Sequence, residues 1–313
     1  MTSDLSDLAD RVRTFGGLTS KAAIGLVSEV FGGSDWLAGP GDDGAAVAFA
    51  GSFAVACGEA LLPAFVQRDP FGAGLAAVLT NVNDLAAMGA RPLGIVDTVV
   101  ADEPTARRIL EGIRHGCHLY DVPLLGGHLT RHDGPPALSA FGLGRAERPL
   151  SVNRVEPGQA LVLGAAIEGE LRADFPFFRG FDERGTRSAG DVRLLADLAE
   201  RGVAVAAKDV SMAGLVGSLG MLLERNGCGA TVDLDALPRP AGVALADWLT
   251  CFPSYAFLLC CPEERVGACV AAFEERDLAA APIGTIDTSG EVALASGGER
   301  VRALSHPVTG LAR

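Results

Sequence analysis

Apolar residues recur at helical spacing through residues 4–14 and 20–31, which predicts two short helices separated by the glycine turn "GGLTSK" and its isolated Lys21. After the Pro/Gly-rich loop "LAGPGDDG", the stretch "AAVAFAGSFAVAC" alternates small and apolar residues and predicts a tight hairpin hinged at Gly51 and Ser52. The next pattern is different: "FGAGLAAVL" and "LAAMGA" are apolar on every side and predict a helix buried all round, yet Asn81, Asn83 and Asp84 stand at its centre. Polar groups in such a place need partners, because burial without them is costly and an unpaired carboxylate costs most. The chain continues as a strand "PLGIVDTVV", a helix "EPTARRILEGIRHGCHLY", and the strands "VPLLGG" and "ALSAFGLGRA".

Pro149, Pro157 and Gly158 break the pattern in "ERPLSVNRVEPG", which places a domain boundary near residue 150 and predicts two domains, 1–150 and 151–313. A strand "QALVLGAAI" opens the second half, followed by an irregular segment over 168–190 and a helix over 191–201. The strand "VAVAAKDV", the helix "AGLVGSLGMLLERNG", the strands "GATVDL" and "YAFLLCCP", the helix "EERVGACVAAFEER" and two closing strands complete the pattern. Interleaved strands and helices in both halves predict an α/β fold with substantial sheet.

Composition narrows the chemistry. The chain has 313 residues, 49% hydrophobic, enough for two ordinary cores. A formal net charge of −13, without a basic cluster, argues against nucleic acid as a partner. The odd count of seven cysteines, none spaced Cys-x-x-Cys, points away from disulfides and zinc ribbons and fits a reducing cytoplasm. The acidic start "MTSDLSDLADRVRTF" lacks signal-peptide character, and no uninterrupted apolar run predicts a membrane span.

No phosphate loop of the Gly-x-x-x-x-Gly-Lys type and no His-Glu-x-x-His is present, and "GAGLAA" is a poor dinucleotide fingerprint because no strand leads into it. What remains is a set of acidic or polar residues at glycine-flanked element ends: Asp42 and Asp43 in "GPGDDG", Glu59 in "CGEALL", Asn81, Asn83, Asp84, His128 in "LLGGHLT" and Asp209 in "AAKDVSMAGL". Carboxylates are the ligands Mg²⁺ prefers, and adjacent glycines allow a triphosphate to approach the backbone. Taken singly, "GDDG" reads as a turn, Asp209 as a helix cap and Lys21 as a solvated side chain. His128 and His132 have a spacing compatible with zinc, but His115 and His118 fall on a predicted helix and His132 in a polar loop.

In order and spacing, "GPGDDGAAV", "NVNDLAAMGARPLG", "LLGGHLT" and "KDVSMAGLVGSLGMLLERNGCGATVDLDALP" resemble the motifs of the aminoimidazole ribonucleotide (AIR) synthase-like, or PurM-like, superfamily, over essentially the whole chain. The resemblance implies a two-domain α/β protomer whose N-terminal domain contributes strands to a dimeric β-barrel, followed by a C-terminal α/β sandwich domain. It implies ATP held with Mg²⁺ by acidic residues, a small-molecule acceptor and a cytoplasmic homodimer. Carried over by motif, Asp42, Asp43, Glu59 and Asp84 are the metal ligands, and Asn81, Asn83, Gly126, Gly127 and Lys208 contact the nucleotide. His128, Asp209 and Lys21 are the catalytic candidates, and Asp97 in "IVDTVV" is similar to an Asp of AIR synthetase.

The departures bear on the substrate. The superfamily's Asp-x-Ser-Asp-Gly-Gly stretch reads "DVSMAG" here, with Met212 and Ala213 in place of the second Asp and the first Gly. "TCFPSYAFLL" lacks the acids that thiamine-monophosphate kinase carries before a late strand, and Thr19 and Ser20 stand where selenophosphate synthetase places its nucleophile. The expected function is therefore an ATP- and Mg²⁺-dependent phosphotransferase or ATP-activating synthetase with an unidentified acceptor; the alternative is a non-catalytic nucleotide-binding scaffold. The acceptor pocket is expected along 168–190 and "CFPSY".

Overall fold

The structure, a computed structural model, describes residues 4–32 and 41–311, so that Leu37 to Pro40 of the predicted loop lie outside the described residues. The chain divides into two compact units: a small one, Asp43–Pro149 with Gly185–Asp197, and a large one, Met1–Asp42 with Leu150–Arg184 and Leu198–Arg313. These contact units differ from a single cut near 150 in two places. Helix α1 (Leu5–Thr14) turns Leu5, Leu8, Ala9 and Val12 inward and packs with the large unit, where Arg13 donates to the Arg302 carbonyl at 2.6 Å. Residues 185–197 join the small unit because Arg193 donates to the carbonyls of Tyr120 and Asp121, at 3.1 and 2.8 Å, while Asp197 pairs with Arg91 at 2.6 Å.

In the small unit, β1 (Ala45–Phe49) and β2 (Ser52–Leu61) form the predicted hairpin, with Ala50 and Gly51 at positive φ as a two-residue turn of this hand requires. Helix α2 (Pro70–Ala87) starts at the Asp69 cap, whose carboxylate accepts from Gly72 N–H at 2.8 Å. Strand β3 (Arg91–Ala101), helix α3 (Glu103–Tyr120), β4 (Leu124–Arg131) and β5 (Ala137–Ala146) follow. The sheet order is β1-β2-β5-β3-β4, antiparallel except for β3 and β4.

Thirteen of the eighteen residues of α2 are buried, as the all-round apolar pattern predicts. Glycine makes this possible on both sides. A Cβ on Gly74 would lie 2.1 Å from the Ile109 carbonyl, and one on Gly112 would lie 2.0 Å from that of Phe71, so α2 and α3 touch backbone to backbone. Under α2, a side chain at Gly142 or Gly144 of β5 would strike Cys57 or Leu85. The other face of the sheet leaves Leu93, Phe141 and Leu143 exposed, and β4 is exposed along its whole length.

In the large unit, β6 (Ala160–Ala165), β7 (Ala206–Asp209), helix α4 (Gly214–Glu224), β8 (Gly229–Asp233), helix α5 (Leu245–Thr250), β9 (Ala256–Cys261), β10 (Ala279–Asp287), β11 (Glu291–Ser296) and β12 (Glu299–Ser305) build a seven-stranded sheet ordered β12-β11-β8-β10-β6-β9-β7. β9, buried at every position, places Lys208 and Asp209 of its neighbour β7 by antiparallel pairing with Leu258 and Phe257. The segment 168–190, expected to be irregular, holds short strands, of which Phe177–Arg179 pairs in parallel with Phe252–Pro253. No helix among the described residues is long and apolar enough to cross a membrane.

Candidate functional site

In the small unit the chemistry gathers where Asp43 and Gly44 meet β2 and the end of α2. A Cβ on Gly44 would lie 2.9 Å from the Ala56 carbonyl and 3.3 Å from Met88, so only glycine lets this turn press so close. Asp84 stands one turn before Met88, whose N–H donates to its carbonyl at 3.0 Å. The carboxylate oxygens of Asp43 and Asp84 come within 4.8 Å of one another. Asp84 is buried, at 8% exposure. Hard oxygen donors at this separation suit a divalent cation that keeps part of its water shell and takes one or two carboxylates.

Cys57 reports the field of these acids. Burial pushes its thiol far up, the charge of Asp84 adds to this, and those of Asp43 and Glu59 act in the same direction. The charges of all three carboxylates favour the protonated thiol. That thiol donates to the carbonyl and Oδ1 of Asn81 at 3.4 and 3.3 Å, while Asn81 Nδ2 donates to the Ala77 carbonyl at 2.8 Å. Asn81 is fully buried and makes these internal contacts. Asn83 and Asp84 lie further along the same buried helix. Cys57 was not among the expected residues; the alternation of β2, which puts Val55, Cys57 and Glu59 on one side, is the signal that would have found it.

Further along the sheet, Asp97 of β3 is buried at 4% exposure, and burial raises its carboxyl above the ordinary value. Its partner strand β4 places Gly127 directly opposite, and a Cβ on Gly127 would fall 1.9 Å from Asp97 Oδ1. Gly126 has open space around its Cβ position, and His128 is exposed on the same strand. No histidine among the described residues joins a group of three possible metal ligands.

The large unit holds the other expected residues. The unit boundary falls between Asp42 and Asp43, so these neighbours in sequence serve different units. Asp42 accepts from the Ser151 hydroxyl at 2.7 Å and from Val152 N–H at 2.6 Å. Burial raises its carboxyl, opposed by those two bonds and by the charges of Arg154 and Lys208. Lys208 and Asp209, both buried, form an ion pair at the end of β7. The loop that follows explains one departure from the family motif. Ala213 sits at φ −74°, where any residue fits, whereas Gly214 has φ +71° and a Cβ there would lie 2.5 Å from the Leu249 carbonyl. The first glycine of the motif is dispensable here and the second is not. The Ser211 hydroxyl in this loop is shielded from solvent and has no hydrogen-bond partner among the described residues. The segment carrying Lys21 rests on the same loop, since a Cβ on Gly17 would lie 1.9 Å from the Met212 carbonyl.

Comparisons with known proteins bear on the family. The model of the AIR synthase related protein N-terminal domain matches residues 41–146, and that of the C-terminal domain matches residues 182–296. An uncharacterized protein of Synechocystis, sll0787, is 34% identical over 306 residues, covering 94% of each chain. A thiamine-monophosphate kinase of Rhodopirellula baltica is 32% identical over 216 residues, 64% of this chain and 65% of its own. The solved structure of AaThiL complexed with AMPPCP and TMP superposes with a TM-score of 0.67 at 20% identity, covering 89% of this chain and 93% of that one, a likeness of fold. With both domain models matched in order and one relative aligned almost end to end, the chain belongs to the AIR synthase related family.

Proposed function

We propose that the protein is an ATP- and Mg²⁺-dependent phosphotransferase or ATP-activating synthetase acting on a small metabolite. The observation that carries this reading is the Asp43–Asp84 carboxylate pair, whose oxygens come within 4.8 Å of one another. In this reading Asp43 and Asp84 hold Mg²⁺, with Glu59 in support, and the ion supplies neutralisation of the triphosphate charge. Gly126, Gly127 and Asn83 line the nucleotide, and His128 contacts a phosphate oxygen or acts as an acid or base. Roles for Asp42, Lys208, Asp209 and Lys21 rest on their motifs. In the phosphotransferase form, the bond between the terminal phosphorus and its bridging oxygen breaks and a bond to an acceptor oxygen forms. The acceptor's proton passes to a base or water, and ADP leaves. Positioning and charge neutralisation carry such a transfer without a dedicated nucleophile.

Calorimetry of ATP binding with and without Mg²⁺, repeated for Asp84→Ala, tests the site. Binding is expected to require the metal and to weaken by at least about ten-fold in the variant, roughly 1.4 kcal/mol. Tight binding that ignores both the metal and the substitution would overturn the assignment. The protein is further proposed to work as a homodimer, a second copy covering the exposed apolar face around Leu93, Phe141 and Leu143.

A further inference from the structure

The large unit contains a cavity of about 530 Å³, within the range of small-molecule sites, between α1, the short strands of 170–179 and the end of α5. Its walls include Phe15 and Phe175, both half-buried. Phe175 is held edge-on to Phe252 at 5.8 Å between ring centres, and Phe252 packs on Phe177 at 4.6 Å, so this wall is one fixed aromatic block. Two ion pairs line the same cavity. Arg11 bonds Asp247, and Arg172 grips both oxygens of Asp174 at 3.0 Å each. Every arginine here is matched by a carboxylate, so the cavity carries no net charge and offers donors and acceptors side by side.

The cavity also adjoins the motif loop. Gly214, at the end of "DVSMAG", packs on Leu249 and Thr250, and Thr250 and Cys251 line the cavity. Phe15 lies two residues before Gly17, which touches the Met212 carbonyl. We propose that this cavity seats the second substrate, and that the substrate is a flat, ring-bearing molecule of no net charge. Rings gain from the aromatic block, and their heteroatoms and hydroxyls meet the paired Arg and Asp edges. A phosphate group would bring two negative charges toward Asp174 and Asp247, each already neutralising its arginine. In this the chain would differ from thiamine-monophosphate kinases, whose name specifies a phosphorylated substrate. The inference rests on the reading of the protein as an ATP-dependent enzyme with an acceptor.

The test is calorimetry on the full chain, without ATP, using two matched pairs: pyridoxine with pyridoxine phosphate, and naphthol with naphthyl phosphate. At least one uncharged member is expected to bind saturably and at least about ten-fold more tightly than its phosphate ester. Phe175→Ala is expected to abolish that binding, with Phe175→Leu as a milder variant should the first unfold. Asp174→Asn, which leaves Arg172 less neutralised, is expected to narrow or reverse the preference against the ester. The proposal is overturned if neither uncharged probe binds, if an ester binds as tightly as its partner, or if the Phe175 variants bind like the wild type. No nucleotide is present, so failure here is distinct from failure of the Asp43–Asp84 site, which the Asp84→Ala titration with ATP reports.

Discussion

Gly127 and Asp97 occupy one space: the carboxylate of Asp97 fills the position where a Cβ on Gly127 would be, 1.9 Å from Oδ1. Gly127 is therefore a glycine because of what faces it. Gly127→Ala is expected to destabilise the protein by about 1–3 kcal/mol through overpacking. Adding Asp97→Ala should recover part of that loss, because the clashing group is gone. Urea unfolding of the two single variants and the double variant measures the coupling, and strictly additive losses would exclude the shared space.

The same carboxyl gives a pH signature. Burial lifts Asp97 above its ordinary 3.8, so the folded protein holds a proton that the unfolded chain releases. The stability this provides is full below 3.8, declines as pH rises from 3.8 through the lifted folded value, and is absent above it. Asp97→Asn removes the titration. The variant's unfolding free energy relative to wild type is expected to improve as pH rises through that window and then level off. A difference that stays constant across the acid limb would contradict it.

Neighbouring positions in the motif loop should respond in opposite degree. Ala213→Gly restores the family's first glycine where φ is −74°, and is expected to cost under about 1 kcal/mol. Gly214→Ala forces a side chain to φ +71° and toward the Leu249 carbonyl, and is expected to cost about 2 kcal/mol or more. Thermal unfolding of the pair decides it, and equal effects would mean that the loop relaxes freely.

Much of this was legible in the sequence, and the limits have physical causes. The buried helix around Asn81, the hairpin at Gly51 and the glycine-flanked acids all follow from period and turn chemistry, which are local. What escaped depends on contacts between distant segments. That Cys57, twenty-four positions away, donates to Asn81 has no signal in the local pattern. Asp42 and Asp43 read as one motif, yet Ser151 and Val152 claim Asp42 for the large unit while Asp43 stands by Asp84. The cut near 150 marks a real change of pattern, but local pattern cannot show that α1 packs with β12 far along the chain. Phe175 falls within 168–190, where the acceptor pocket is expected, whereas Phe15, a half-buried aromatic, has no periodic signature.

The exposed face of the small unit's sheet predicts assembly. Phe141 and Leu143 on β5 are 45% and 39% exposed and Leu93 on β3 is 54% exposed, a contiguous apolar surface on neighbouring strands. Phe141→Asp is expected to shift the protein from dimer to monomer in analytical ultracentrifugation while leaving its circular dichroism unchanged, since the side chain points away from α2. A wild-type protein that sediments as a monomer at micromolar concentration would refute the dimer outright.

Glu224, at the end of α4, is 4% exposed and spends both oxygens on the chain's last described turn. Oε2 accepts from Thr309 N–H and the Thr309 hydroxyl, each at 2.9 Å, and Oε1 from Gly310 N–H at 3.2 Å. The helix that follows Lys21 rests on the same turn, since a Cβ on Gly25 would lie 3.1 Å from the Thr309 carbonyl. One buried carboxylate thus anchors the tail against which the Lys21 segment is laid. Glu224→Ala leaves three donors without their acceptor and is expected to cost about 3 kcal/mol, and Glu224→Gln less, because one acceptor oxygen survives. Amide hydrogen exchange at Thr309 and Gly310 should be fastest in the Ala variant, slower in Gln and slowest in wild type. Because this turn supports the Lys21 segment, ATP affinity should be weakest in the Ala variant and strongest in wild type if Lys21 meets the phosphates. If exchange follows that order while ATP affinity stays constant, the turn is an anchor for the fold alone and Lys21 is not a phosphate ligand.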